Sequence, residues 1–300
     1  MLQAFVRACA LDVETLKPGN VSVGLAGHGM AAHQFLASAA AAAPAICATG
    51  VPIGQRILEA TRASLAVAGC NTNLGIVLLC APIAAALESV CTAASVQAPM
   101  QGWGSQECLP AQALRDELER CLAGLTLADA VQAFRAIALA NPGGLGRACD
   151  QDVQQVPTVD LRAAMSLASG RDMIARQYAN GYAEVFATGL AAWQASAARA
   201  PDARNAMQHA YLALLAGFPD SHILRKHGAV VAQAVLVEAG CWRARLAEDP
   251  QGAQPGLARW DRRLKDAGVN PGTSADLAVA TAFIAQVVSG VSGVVHTAPG

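Results

Sequence analysis

Two long charge-free stretches, in a chain poor in strand-forming side chains, limit the fold most. Ala63–Leu87 and Leu277–Val295 contain no Asp, Glu, Lys or Arg. A membrane-spanning helix wants about 20 mainly apolar residues without polar interruption. The first stretch is broken by Asn71, Thr72, Asn73 and Pro82, the second by Gln286, Ser289, Gly290, Ser292 and Gly293. Both are read as central helices of a bundle, apolar all round because they are covered all round. Residue usage agrees: 54% of the chain is hydrophobic but only 4% aromatic, and alanine is abundant. Strands favour β-branched and aromatic side chains, whereas alanine favours closely packed helices.

Pro and Gly punctuate the remainder into helices over 1–15, 32–43, 55–68, 74–95 (kinked at Pro82), 111–123, 127–139, 160–177, 181–199, 203–216, 228–247, 257–266 and 274–290. No strand alternation and no internal repeat stand out. The expectation is an all-α fold, a multi-helix bundle forming a single domain over 1–300, with one irregular segment over 141–158.

Bulk charge excludes several partners. Lys+Arg 21 against Asp+Glu 22 gives a net charge of −1, so no global basic field exists to hold a nucleic acid or an anionic membrane. Asp12, Glu14 and Lys17 stand where a secretory leader would continue its apolar run, so a cytoplasmic location is expected. The nine cysteines include no CxxC pair and no zinc-finger spacing, and they read as small buried hydrophobes. A homodimer is left open.

Five polar motifs interrupt the apolar pattern at apparent helix ends. In Glu14-x-x-Lys17-Pro18-Gly19-Asn20, Lys17 could meet a phosphate and Glu14 a metal or a hydroxyl, although alone the motif reads as a helix stop with a solvated charge pair. Gly27-His28-Gly29-Met30 exposes a histidine between glycines, suited equally to structure or to acid–base work. Asn71-Thr72-Asn73-Leu74-Gly75 places amides in an apolar run, where they must cap a helix or hold a ligand. Asp220-Ser221-His222-Ile223-Leu224-Arg225-Lys226-His227-Gly228 is read as a turn. It carries the densest set of ionisable groups in the chain, suited to phosphate with Mg²⁺. Asn270-Pro271-Gly272-Thr273-Ser274-Ala275-Asp276 is a glycine turn feeding a helix N-terminus, a fair anion cradle; Thr273-x-x-Asp276 also has the spacing of a capping-box variant.

The order of these motifs resembles the triphosphoribosyl-dephospho-CoA synthase family. The elements are Glu14…Lys17-Pro18-Gly19-Asn20-Val21, Gly27-His28-Gly29-Met30…Phe35…Ser38, Asn71-Thr72…Gly75, Asp220…Gly228 and Pro271-Gly272-Thr273-Ser274-Ala275-Asp276-Leu277. The resemblance implies an all-helical enzyme that moves the triphosphoribosyl group of ATP to the ribose 2′-hydroxyl of 3′-dephospho-CoA and releases adenine. It implies Mg²⁺ as cofactor, ATP as substrate and small nucleotides as partners. On that basis Glu14, His28, Asp220 and Asp276 are the catalytic candidates. Asp220 and Asp276 are also the expected Mg²⁺ ligands. Lys17, Asn20, Asn71, Asn73, Arg225, Lys226 and Ser274 are the expected substrate-binding residues.

The chain departs from the family pattern at several points. The family usually reads NTHKG where this chain has Asn71-Thr72-Asn73-Leu74-Gly75, and an Asp where it has Gly29. Tyr182 stands for the Arg of a GARGE element, and Ser22 for the Asp after KPG-x-V. Each lost charge-assisted contact to a triphosphate costs on the order of 1.5–3 kcal/mol. Two further readings follow: a paralogue in the biosynthesis of a pterin-linked one-carbon coenzyme, and a non-catalytic helical nucleotide-binding protein.

Overall fold

The structure, a computed structural model, describes residues 1–22, 32–97, 109–142, 146 and 150–288. Among them the chain forms α1 (Leu2–Glu14), α2 (Ala32–Ile46), α3 (Ile53–Ala68), α4 (Leu74–Gln97), α5 (Ala111–Ala123), α6 (Leu127–Ala140), α7 (Leu161–Ala168) and α8 (Met173–Asn180). A π-helical segment, Val185–Leu190, runs into α9 (Ala191–Arg199), followed by α10 (Ala203–Gly217), α11 (Ser221–Glu248), α12 (Pro250–Asp266) and α13 (Gly272–Val288). No strand occurs among the described residues, so the all-α expectation holds.

The two charge-free stretches become the core. Helix α13 is buried on nearly every side, packed among α1, α4, α10 and the π-helical segment. Phe5 of α1 meets Phe283 edge-on, with ring centroids 5.8 Å apart. Within α4, Leu74–Thr92 is long and apolar enough to cross a membrane, yet 72% of its most apolar window is buried inside the protein. Pro82 lies within α4 and cannot donate to the carbonyl four residues back. The buried Tyr178 hydroxyl supplies that missing donor at Leu78 O (2.6 Å), and the buried Tyr182 hydroxyl donates to the next carbonyl, Leu79 O, at 2.9 Å.

Helix–helix joints are made by aspartates at helix starts. Asp129 accepts the Gly54 N–H at the start of α3 (2.8 Å) while its other oxygen completes a capping box with Thr126 at the start of α6. Local boundaries differ from expectation: α2 runs past Pro44 to Ile46, α12 begins at Pro250 and not at 257, and two further differences bear on the site. The helix expected over 160–177 is split, because Asp172 caps α8 separately through Ile174 N–H and Ala175 N–H. The segment read as a turn from Asp220 to Gly228 is helical, and forms the first turns of α11 before a break at Gly228 (φ 81°, ψ 175°).

A candidate active site where four helices begin

The first turns of α4, α8, α11 and α13 open onto one cavity of about 430 Å³, to which α1 and the turn after it also contribute. The positive ends of four helix dipoles point at this hollow, although side chains already cap each helix: Asn71 at α4, Asp172 at α8 and Asp220 at both α11 and α13. Arg171, Arg225 and Lys226 add positive charge to the wall, while Phe35, Phe134, Ile137, Met165 and Leu167 make an apolar side.

The turn after α1 is pinned from several directions. Gly19 N–H donates to Asp261 (2.8 Å), the Tyr211 hydroxyl to Pro18 O (2.7 Å) and Gln208 to Leu16 O (2.8 Å). Gly19 has φ 83°, and a side chain there would strike Pro271 and the carbonyl of Val269. Two Pro-Gly turns more than 250 residues apart in sequence therefore stack, joined also by Asn20 Nδ2 donating to Asn270 Oδ1 at 3.0 Å. Lys17, expected to meet phosphate, is fully buried beneath this turn. Its Nζ lies 3.1 Å from Asp12 Oδ1 and donates to Asn20 Oδ1 at 2.7 Å. The carboxylate that reaches the cavity from α1 is Asp12, whose pKa is raised by burial against the opposing pull of Lys17.

Glu14 lies elsewhere. It is exposed and ion-paired with Arg7 at 2.8 Å, one helical repeat back, and does not line the cavity. The reason is helical phase: Phe5, Ala8, Cys9 and Asp12 occupy the buried face of α1, and Glu14 falls on the opposite one. His28 lies outside the described residues.

Asp220 is also displaced from its expected role. It is buried behind the cavity wall and joins two helices. Its Oδ1 accepts His222 N–H (2.9 Å) and Ile223 N–H (3.1 Å) at the start of α11. Its Oδ2 accepts Ser274 N–H (2.7 Å) and the Ser274 hydroxyl (2.8 Å) in the first turn of α13. Ser274, expected to orient ligand, is consumed by this joint. Because Asp220 serves the start of α13, the Thr273-x-x-Asp276 capping arrangement is not needed, and Asp276 lines the cavity instead. Among the described residues Asp276 has neither a hydrogen bond nor an ion pair. Burial, with the negative charges of Asp12, Asp220 and Asp172, pushes its pKa well above the usual carboxylate range, against the pull of Arg225.

The other expected ligand residues do meet at the cavity: Asn20, Asn71, Asn73, Arg225 and Lys226 all line it. Asn71 Oδ1 accepts Leu74 N–H (3.2 Å) and Arg225 is ion-paired with Asp172 at 2.7 Å. Sequence reasoning missed Asp12, Asp172 and Arg171, and gave His222 and Asn270 no role of their own within the motifs it singled out. Of the departures from the family pattern, Asn73 and Leu74 fall on the cavity wall, whereas Tyr182 is buried in the core with its hydroxyl on Leu79 O of α4. Glu184, close to Tyr182, is occupied by Arg176, Gln177 and Asn180.

The sequence model of a family described as ATP:dephospho-CoA triphosphoribosyl transferase matches residues 1–293. The chain belongs to that family. It is accordingly a transferase. A crystal structure of a candidate triphosphoribosyl-dephospho-CoA synthase from Archaeoglobus fulgidus has the same fold, with a TM-score of 0.61 at 22% identity, covering 84% of this chain and 98% of that one. No curated protein shows significant sequence similarity to the transferase.

Proposed function

We propose that this cavity is where the triphosphoribosyl group of ATP passes to the 2′-hydroxyl of 3′-dephospho-CoA, with release of adenine. The carrying observation is the meeting of four helix starts, the cations Arg171, Arg225 and Lys226 and the carboxylates Asp12 and Asp276 around one cavity. The transferred sugar develops oxocarbenium character as its bond to adenine breaks. Asp12 and Asp276 suit stabilisation of that positive charge, and the cations and helix starts suit the triphosphate. The apolar side around Phe134 and Met165 suits a flat base.

The Asp220–Asp276 pair does not fit a resident Mg²⁺ site. All of Asp220's acceptor capacity faces helix N–H groups and Ser274. Among the described residues no three His, Cys, Asp or Glu side chains come together to hold an ion. Mg²⁺ is better placed on the triphosphate, as part of the substrate. The pterin-linked paralogue and the non-catalytic binder are not favoured, since the family match runs over 1–293. Adenine release, followed with ATP and 3′-dephospho-CoA together, tests the reading: release that requires both supports it, and no release under any nucleotide pair contradicts it.

A further inference from the structure

Two polar groups that line the cavity, Asn73 Nδ2 and the Asp276 carboxylate, have no hydrogen-bond partner among the described residues, and they are chemical complements. Asn73 is 5% exposed, and its Nδ2 donates to nothing among the described residues. It stands immediately before α4, where its carbonyl accepts Val77 N–H at 2.9 Å. Two residues on, Gly75 lies so close to Asp276 that a Cβ there would collide with the Asp276 carboxylate. An unmatched donor just before α4 and a carboxylate of α13 packed against Gly75 thus both belong to the cavity lining at the start of α4. A buried amide N–H without an acceptor costs about 1–3 kcal/mol, so the position implies a ligand atom. A phosphate oxygen would satisfy Asn73 but would be repelled by Asp276. A hydroxyl satisfies both, accepting from one and donating to the other.

We propose that Asn73 and Asp276 form the subsite for the acceptor's sugar hydroxyl, Asn73 orienting its oxygen and Asp276 accepting its proton. This rests on the transferase reading given above. In the step, the hydroxyl oxygen bonds to C1′ of the donor ribose as the C1′–N9 bond breaks, and the electron pair of that bond leaves on adenine. The hydroxyl proton passes to Asp276, the departing adenine anion takes a proton from water, and Asp276 afterwards returns its proton to solvent, so the net change is one proton moved from the hydroxyl to adenine. A pKa held above the ordinary carboxylate range suits a base of this kind. Gly75 belongs to the device because any side chain there would displace the carboxylate.

The test compares binding of 3′-dephospho-CoA and its 2′-deoxy analogue by calorimetry, alongside adenine release. The wild-type chain should prefer the hydroxylated acceptor by about tenfold or more, and Asn73→Ala should erase the preference with ATP affinity within about twofold of wild type. Asn73→Ala should also release adenine to water in place of the acceptor, a partition that loss of folding would not create. Gly75→Ala should lower kcat while ATP still binds. A wild-type chain that transfers normally yet binds both acceptors equally, or an Asn73→Ala variant that keeps the preference, overturns the subsite and leaves the transferase reading standing. A wild-type chain that neither binds 3′-dephospho-CoA nor releases adenine overturns both.

Discussion

Asp220 and Asp276 open neighbouring parts of the same helical joint and were equivalent as sequence candidates, yet their surroundings are opposite. Asp220 accepts four hydrogen bonds and holds the starts of α11 and α13 together. Asp276 faces the cavity without a donor of its own among the described residues, pressed against Gly75 and surrounded by other carboxylates. A saturated carboxylate stabilises a fold, whereas an unsaturated one is retained at a cost to stability, and such groups concentrate at functional sites. The contrast assigns structure to the first and chemistry to the second.

The comparison is broken most severely through activity. Asp276→Asn removes the proton acceptor with little change of volume, and kcat should fall by about 10²–10⁴-fold. Steady-state adenine release measures this; activity within tenfold of wild type would place the chemistry elsewhere. Next comes stability. Asp220→Ala leaves two helix starts uncapped and should cost about 2–4 kcal/mol in urea unfolding, at roughly 1 kcal/mol per cap plus charge-assisted bonds to Ser274. A loss below about 0.5 kcal/mol would contradict the joint.

Burial raises the pKa of both carboxylates, but hydrogen bonds from Ser274, Ile223 and His222 oppose this at Asp220 and, among the described residues, none does at Asp276, so the sign should reverse there. Its folded-state pKa is raised, so the folded chain holds the proton to higher pH than the unfolded chain does. The carboxylate therefore weakens folding above its folded pKa, and the weakening is relieved as pH falls through that value toward the ordinary carboxylate pKa of about 4. Asp276→Asn should raise Tm, and by more at pH 8 than at pH 5; a uniform decrease would refute the argument. The smallest effect belongs to Glu14. Its exposed pair with Arg7 is worth about 0–1 kcal/mol, so Glu14→Gln should move neither kcat nor Tm appreciably.

Much of the fold was legible, because apolar periodicity and Pro-Gly punctuation depend on local sequence. The two charge-free stretches did become the buried α4 and α13. Part of the site was legible too, and one miss had a signal: Phe5, Ala8, Cys9 and Asp12 recur at helical spacing, which marks Asp12 and not Glu14 as inward-facing. Other parts depended on distant partners. Nothing near Asp172 points to Arg225, 53 residues on, and nothing near Ser274 points to Asp220. The role of Tyr182 was hidden for the same reason, since the carbonyl it serves is 103 residues away on α4. Resemblance to a motif located the loops; only packing decides which carboxylate in a loop is already satisfied.

Asp220→Asn and Asp276→Asn, measured side by side for adenine release and thermal midpoint at pH 8, bear most directly on this assignment. Asp276→Asn should be inactive with a higher midpoint, and Asp220→Asn should melt lower, because its amide would set a donor against donors. Retained activity in Asp276→Asn, or the same downward shift in both variants, would contradict it.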